Sequence, residues 1–316
     1  MKLSTYNLSL NDNNFIQQSI VGNFLGKKSQ EILVNKTGSL ELLTLNLNTI
    51  KIKSFKSFKS FSLVRNIAKF RLTGSRKDLV VLTSDSGKLS ILEYLESVND
   101  FKILHQETFG KSGIRRIIPG LHLATDPKGR SLMISAIEKS KLVYVLNRDS
   151  DNNITISSPL EFNRNFQLIQ FIVGLDVGFE NPLYASLEID YEDIDQDPTS
   201  EALKNVNKFL TYYELDLGLN HVVKKYSEPT DPQANLLIQV PGGQSSSSDR
   251  FDGPSGVLVC CKDYIMWNRP NYQPHRIPIP KRSNNVFNDN EGTIIVSSVL
   301  HKMKVSNDFN LNVVFY

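Results

Sequence analysis

The chain has 316 residues, 40% of them hydrophobic and 22% charged, with a formal net charge of +3. That is globular composition, with enough apolar material for one large core or two modest ones. So small an excess argues against a dedicated nucleic-acid binder unless charge is segregated on one face, and no apolar run approaches the ~20 residues of a membrane span. The N-terminal residues lack the apolar core of a secretory leader, so the expectation is a soluble intracellular chain without membrane contact.

In chain order, short apolar runs rich in β-branched residues predict strands at 31–34, 78–94, 130–148, 182–190, 256–261 and 293–299. Gly, Asn, Asp or Pro bounds each of them. Tight turns at Thr37-Gly38-Ser39 and Asp85-Ser86-Gly87 join successive strands, and Leu89, Ile91, Leu92 and Tyr94 fill the strand after the second turn. Through the first half of the chain the units recur at about 50 residues, near the period of propeller blades. A lone hairpin cannot bury its apolar face, whereas sheets packed around an axis can. The predicted fold is therefore all-β, a β-propeller like those of WD repeats. It lacks their Trp-Asp signature, because the only tryptophan is Trp267. An irregular β-sandwich is the alternative.

Four segments depart from this rhythm. Residues 53–61, KSFKSFKSF, repeat with period three and read as a basic loop entering a strand. Residues 188–202 form an acidic insertion, and 241–256 are Gly/Ser-rich and read as a loop insertion. Ser200 to Phe209 is the best helical stretch.

Candidate chemistry is thin. Gly110-Lys111-Ser112 copies the tail of a phosphate loop, but His105 stands where the first glycine belongs, and no helix follows. Lys111, Arg115 and Arg116 are better read as contacts to a partner protein or, less readily, to a phosphate. Asp193, Asp195 and Asp197 are spaced like the start of a calcium loop. Pro198 replaces the required glycine and Lys204 the closing glutamate, so a surface for a basic partner is the better account. Cys260 and Cys261 are adjacent, so on a strand they point to opposite faces and read as buried free thiols. The five histidines form no His-x-x-x-His pair, and no nucleophile stands with a base. The expectation is a binding or scaffold protein without catalysis, cofactor, metal or small-molecule substrate. An enzyme using Lys111 on a phosphate is the reading from another class.

Several long phrases carry a family resemblance. They include SDSGKLSILEY (84–94), HQETFGKSGIRRIIPG (105–120), DPKGRSLMISAIEKSKLVYVLNRD (126–149), VGLDVGFENP (173–182), YYELDLGLNHVVKKYSEP (212–229) and DGPSGVLV (252–259). In order and nearly throughout, the chain resembles the third subunit of the splicing factor 3b complex, of the yeast Rse type. That family is built like the damaged-DNA-binding protein and the large subunit of the cleavage and polyadenylation factor, with several propellers per chain. The resemblance implies that residues 1–316 form an N-terminal propeller that stops before closure, and that such a piece alone self-associates. It further implies a nuclear, non-catalytic scaffold within the U2 small nuclear ribonucleoprotein, supporting branch-site recognition. Its partners would be the HEAT-repeat large subunit, a very small subunit and other proteins of that particle, with RNA contact indirect or peripheral. A propeller adaptor in a ubiquitin ligase, DNA-damage or mRNA 3′-end processing complex is the alternative.

Overall fold

A computed structural model describes residues 15–27, 29–36, 38–46, 48–60, 62–110, 120–137, 140–150, 154–162, 166–202, 206–244, 251–280, 292–305 and 308–315. Five antiparallel meanders follow one another. The first blade is β1 (Ile16–Gly22), β2 (Glu31–Lys36), β3 (Ser39–Asn46) and β4 (Lys51–Lys59); the second is β5 (Val64–Phe70), β6 (Leu79–Ser84), β7 (Lys88–Leu95) and β8 (Asp100–Thr108). The third is β9 (Leu123–Thr125), β10 (Ser131–Ile137) and β11 (Ser140–Arg148), whose outer edge is shared by β12 (Ile154–Ile156) and β13 (Leu160–Phe162). The fourth is β14 (Gln167–Leu175), β15 (Leu183–Asp190), β16 (Lys208–Asp216) and β17 (His221–Thr230), with a single helical turn, α1 (Glu192–Gln196), between β15 and β16.

The fifth blade uses β18 (Leu236–Gln239), β21 (Val257–Cys260), β22 (Tyr264–Asn268) and β23 (His275–Pro278). Between its first two strands runs a two-stranded ribbon, β19 (Gly242–Gln244) with β20 (Phe251–Pro254), and a hairpin of β24 (Ser298–Val305) and β25 (Asp308–Phe315) follows. The first strand of each blade touches the first strand of the next, β1 to β5 to β9 to β14 to β18. That succession of inner strands is a propeller, as the alternating pattern predicts.

Burial explains the wedge packing. Each blade is apolar on both faces, so each seam is lined from two sides. Leu33, Leu40, Leu42 and Phe58 of blade 1 meet Val64, Ile67, Val80 and Tyr94 of blade 2. Ala185, Leu187, Leu210 and Tyr212 of blade 4 meet Leu237, Val257 and Val259 of blade 5. Cys261 lies in that seam, while Cys260 faces the other way, against Ile238 and Ile295, and both thiols are free. Burial pushes the Cys260 thiol up to about 12, so it stays protonated and unreactive. At one inner seam the backbones nearly touch. A Cβ on Gly174 of β14 would lie 2.2 Å from the Thr125 carbonyl oxygen of β9.

Four local expectations need correction. The period-three segment is strand β4. A bulge at Phe55, where the partners shift from Leu42↔Lys56 to Leu43↔Ser54, absorbs the extra residue. Of Ser200 to Phe209, Ala202 lies in a 3₁₀ turn and Lys208 and Phe209 open β16, while the α-helical turn falls in the acidic run instead. Glu188 to Asp190 belong to β15, so the acidic insertion begins at Tyr191. Residues 293–297 form no strand, and pairing begins at Ser298. Of the Gly/Ser-rich segment, the described ends pair as the β19–β20 ribbon.

Candidate protein-contact faces and the central channel

Because each blade is a meander, its connections alternate between two faces of the propeller. Connections from first to second and from third to fourth strands share one face; the remaining connections share the other. On the first face, acidic side chains near the opening turns of the first four blades hold the backbone. Glu31, 1% exposed, accepts from the Phe24 and Leu25 amides at 2.9 and 3.1 Å. Asp78 accepts from the Asn23 amide at 2.8 Å and from Arg71 Nε at 2.6 Å. Asp126 is bound by Arg130 through Nε at 2.8 Å and Nη2 at 3.1 Å, and Asp176 accepts from the Gly178 and Gly242 amides. Carboxylates satisfied in this way, three of them buried and Asp176 half-buried, fix the loops. Nothing in the sequence marks this bracing role beyond a place beside a strand.

The inner strands line a channel of about 620 Å³, bordered by Gln18, Asn66, Lys69, His122, Thr125 and Phe171 among others. Its polar groups stitch neighbouring blades together. Gln18 donates to the Ile67 carbonyl and accepts from the Ile67 amide, both at 2.9 Å. Asn66 donates to the Leu121 carbonyl at 2.7 Å, Thr125 to the Lys69 carbonyl at 3.0 Å, and Lys69 Nζ to the Val21 carbonyl. Burial holds the Lys69 amine below its usual range and pushes the His122 imidazole down to about 4, so His122 is neutral at pH 7. Gln18, Asn66, Lys69 and Thr125, occupied with backbone, suit rigid packing of the blades better than acid–base chemistry. Among the described residues no group of three or more His, Cys, Asp or Glu is placed to hold a metal, and no helix is long and apolar enough to cross a membrane.

The second face carries the acidic insertion. Asp193 is exposed on α1 and borders a hollow of about 340 Å³ with Asp190, Glu192, Ile194, Val206 and Phe209. Asp195 lies on the same helical turn. Asp197 has a different role from the one its spacing suggests. Its carboxylate accepts from the Thr199 amide (2.8 Å) and hydroxyl (2.6 Å) and from the Ala202 amide (2.7 Å), which holds its carboxyl at about 2. It organises its own loop. Lys111, Arg115 and Arg116 lie outside the described residues. The ends of their connection are tied to this same face: Gly110 donates to the Gly87 carbonyl at 3.3 Å, and Gly120 to the Ser135 carbonyl at 2.9 Å.

Comparison with known proteins agrees with this architecture. Residues 15–313 match the family model described as the RSE1/DDB1/CPSF1 first beta-propeller. The chain is 55% identical to the pre-mRNA-splicing factor RSE1 of Mycosarcoma maydis, over 95% of this chain and 25% of that protein. It is 52% identical to splicing factor 3B subunit 3 of Danio rerio and 49% identical to that of Drosophila melanogaster, in both cases over 95% of this chain and 24% of the relative. The chain thus spans about a quarter of the length of these relatives. With five consecutive blades and a match across nearly all its residues, the chain belongs to the RSE1/DDB1/CPSF1 first beta-propeller family.

Proposed function

We propose that this chain is the first propeller of a non-catalytic scaffold subunit of splicing factor 3b, working in the nucleus within the U2 small nuclear ribonucleoprotein. Identity of 55% across 95% of the chain to a protein named as a pre-mRNA-splicing factor carries the reading. The channel supports it, since its polar side chains bind neighbouring blades. In this reading the propeller holds the HEAT-repeat large subunit and the very small subunit, and its contact with RNA is indirect. The second face, with Asp193, Asp195 and the connection bearing Lys111, Arg115 and Arg116, is the proposed contact surface.

The ring in this reading is completed by further blades of a longer chain. Blade 1 supports that view. Its flank away from blade 2 presents the cross-strand row Val21–Ile32–Leu43, with Leu45 opposite Ile52. Val21, Leu45 and Ile52 are 45%, 48% and 58% exposed there, an apolar surface of the kind that the inner seams cover.

The test is affinity purification of the full-length protein from nuclear extract, read by mass spectrometry. Recovery of splicing factor 3b and U2 proteins is the expected outcome. The shared family model leaves one alternative, an adaptor in a ubiquitin ligase or in 3′-end processing. Recovery of those components without splicing proteins would establish it.

A further inference from the structure

Among the described residues strand β4 is the outer edge of blade 1, paired with β3 on one side only. It carries Lys51, Lys53, Lys56 and Lys59 and no acid. The other outer strands are mixed or short of charge: β8 has Asp100, Lys102 and Glu107; β17 has Lys224, Lys225 and Glu228; β23 has one arginine, Arg276. Lysines on a free edge ordinarily discourage pairing between copies. Here their arrangement does more.

Three of the four share a face. Lys51, Lys53 and Lys56 lie opposite Asn46, Thr44 and Leu42, alternate residues of β3 that point to the same side. Without the bulge at Phe55, Lys53 and Lys56 would point to opposite sides. Lys59, opposite Ser39, falls on the other face. None of the three is in an ion pair with a described acid, and the carboxylates of the adjoining rim are engaged: Glu96 with Lys27 at 3.0 Å and Glu93 with Lys77 at 3.5 Å. Beside the row, Phe55, 44% exposed, meets Tyr94 edge-on at 6.2 Å, and Phe58 meets Phe101 at 4.7 Å. The result is a free strand edge, a one-sided comb of cations and an apolar step.

We propose that β4 receives an extended acidic segment of a partner protein, added as a fifth strand to blade 1. Its alternate carboxylates face Lys51, Lys53 and Lys56, and an apolar side chain rests on Phe55. Two observations favour a peptide over RNA. The unpaired edge offers a row of backbone hydrogen bonds that a polypeptide strand, unlike RNA, satisfies in register. The cations also repeat at the two-residue spacing of an opposing strand. The inference does not depend on the splicing reading.

The test uses the full-length protein and a fluorescent peptide alternating glutamate with valine. The same peptide with glutamine for glutamate, a form N-methylated at alternate amides, and an oligouridine of matching charge serve as comparisons. The glutamate peptide binds, and the glutamine and N-methylated forms are at least about fivefold weaker. The K51E/K53E/K56E variant weakens binding about tenfold, while Lys59→Glu changes it less than about twofold. A thermal unfolding trace checks that the variant is folded; if it is not, the corresponding triple glutamine variant replaces it. The proposal is overturned if glutamate and glutamine peptides bind alike, if the triple reversal has no effect, or if only the RNA binds through the three lysines.

Discussion

The seam between blades 2 and 3 and the seam between blades 3 and 4 are built from different chemistry. In the first, Phe70, Val81, Leu89 and Ile91 meet Leu132, Ile134 and Leu142, and the packing is apolar apart from the buried Tyr144 hydroxyl. In the second, Val143 and Val145 meet Tyr184, Tyr213 and Leu215, and a charged pair lies among them. Lys141, with its side chain 3% exposed, faces Glu188, fully buried, at 3.6 Å. Glu188 accepts from Ser186 at 2.9 Å and from the Tyr213 hydroxyl at 3.0 Å. An apolar seam rewards any neighbour of the right volume. A buried ion pair adds little net stability but penalises a wrong neighbour or a slipped register, because each charge is then left uncompensated. Blade 4 is therefore matched to blade 3 in a way that blade 3 is not matched to blade 2.

The largest expected effect follows from that pair. Lys141→Met leaves Glu188 buried without a cation and costs about 3–5 kcal/mol. Adding Glu188→Leu recovers most of the loss, because an apolar pair of similar volume replaces the ionic one. Faster hydrogen exchange of β11 and β15 amides in the full-length single variant, slowed again in the double variant, is the measurement. If the double variant is as unstable as the single, the contrast between seams fails. In the apolar seam, Leu132→Ala removes a fully buried side chain and costs about 3 kcal/mol by transfer and cavity terms. No second substitution by charge or its removal rescues it.

The two seams also differ in acid. His122 packs against Phe171 of blade 4 with ring centroids 6.4 Å apart, and burial lowers its pKa from 6.5 to about 4. The unfolded chain therefore binds the proton first. The stability from keeping this imidazole neutral is present above pH 6.5 and is lost as pH falls toward 4. Allowing for partial exposure, the loss is roughly 2 kcal/mol. His122→Gln flattens that part of the pH profile, whereas a slope unchanged by the substitution places the acid sensitivity elsewhere.

The apolar alternation was legible residue by residue, and so was the blade repeat. Leu89 and Ile91 share one buried face of β7 and Leu92 and Tyr94 the other, and the inner strands begin near Ile16, Val64, Leu123, Gln167 and Leu236. Strand β4 was not legible, because a bulge converts period three into a shared face and bulges leave no fixed residue pattern. The seam chemistry was equally hidden. Lys141 and Glu188 are 47 residues apart, and only stacked blades bring them together. Asp197 was found by its spacing, but its role was set by Thr199 and Ala202 closing a turn around it. Of the contact candidates, only Asp193, Asp195 and Asp197 fall on described residues, and the first two share one helical turn.

The smallest effect separates two buried tyrosines. Tyr184, in the blade 3–4 seam, shares a 2.7 Å hydrogen bond with Ser131. Tyr144 is equally buried on the blade 2 side of blade 3, and its hydroxyl has no hydrogen-bond partner among the described residues. Removing a satisfied hydroxyl strands its partner, so Tyr184→Phe leaves the Ser131 oxygen buried and costs about 1–2 kcal/mol. Removing an unsatisfied one relieves a desolvation penalty, so Tyr144→Phe is neutral or stabilises by up to about 1 kcal/mol. Exchange rates in β10, which lies between the two seams, read both substitutions on one strand. Opposite signs follow if hydroxyl satisfaction, and not ring packing, distinguishes the seams; equal destabilisation by both would show that the rings alone matter.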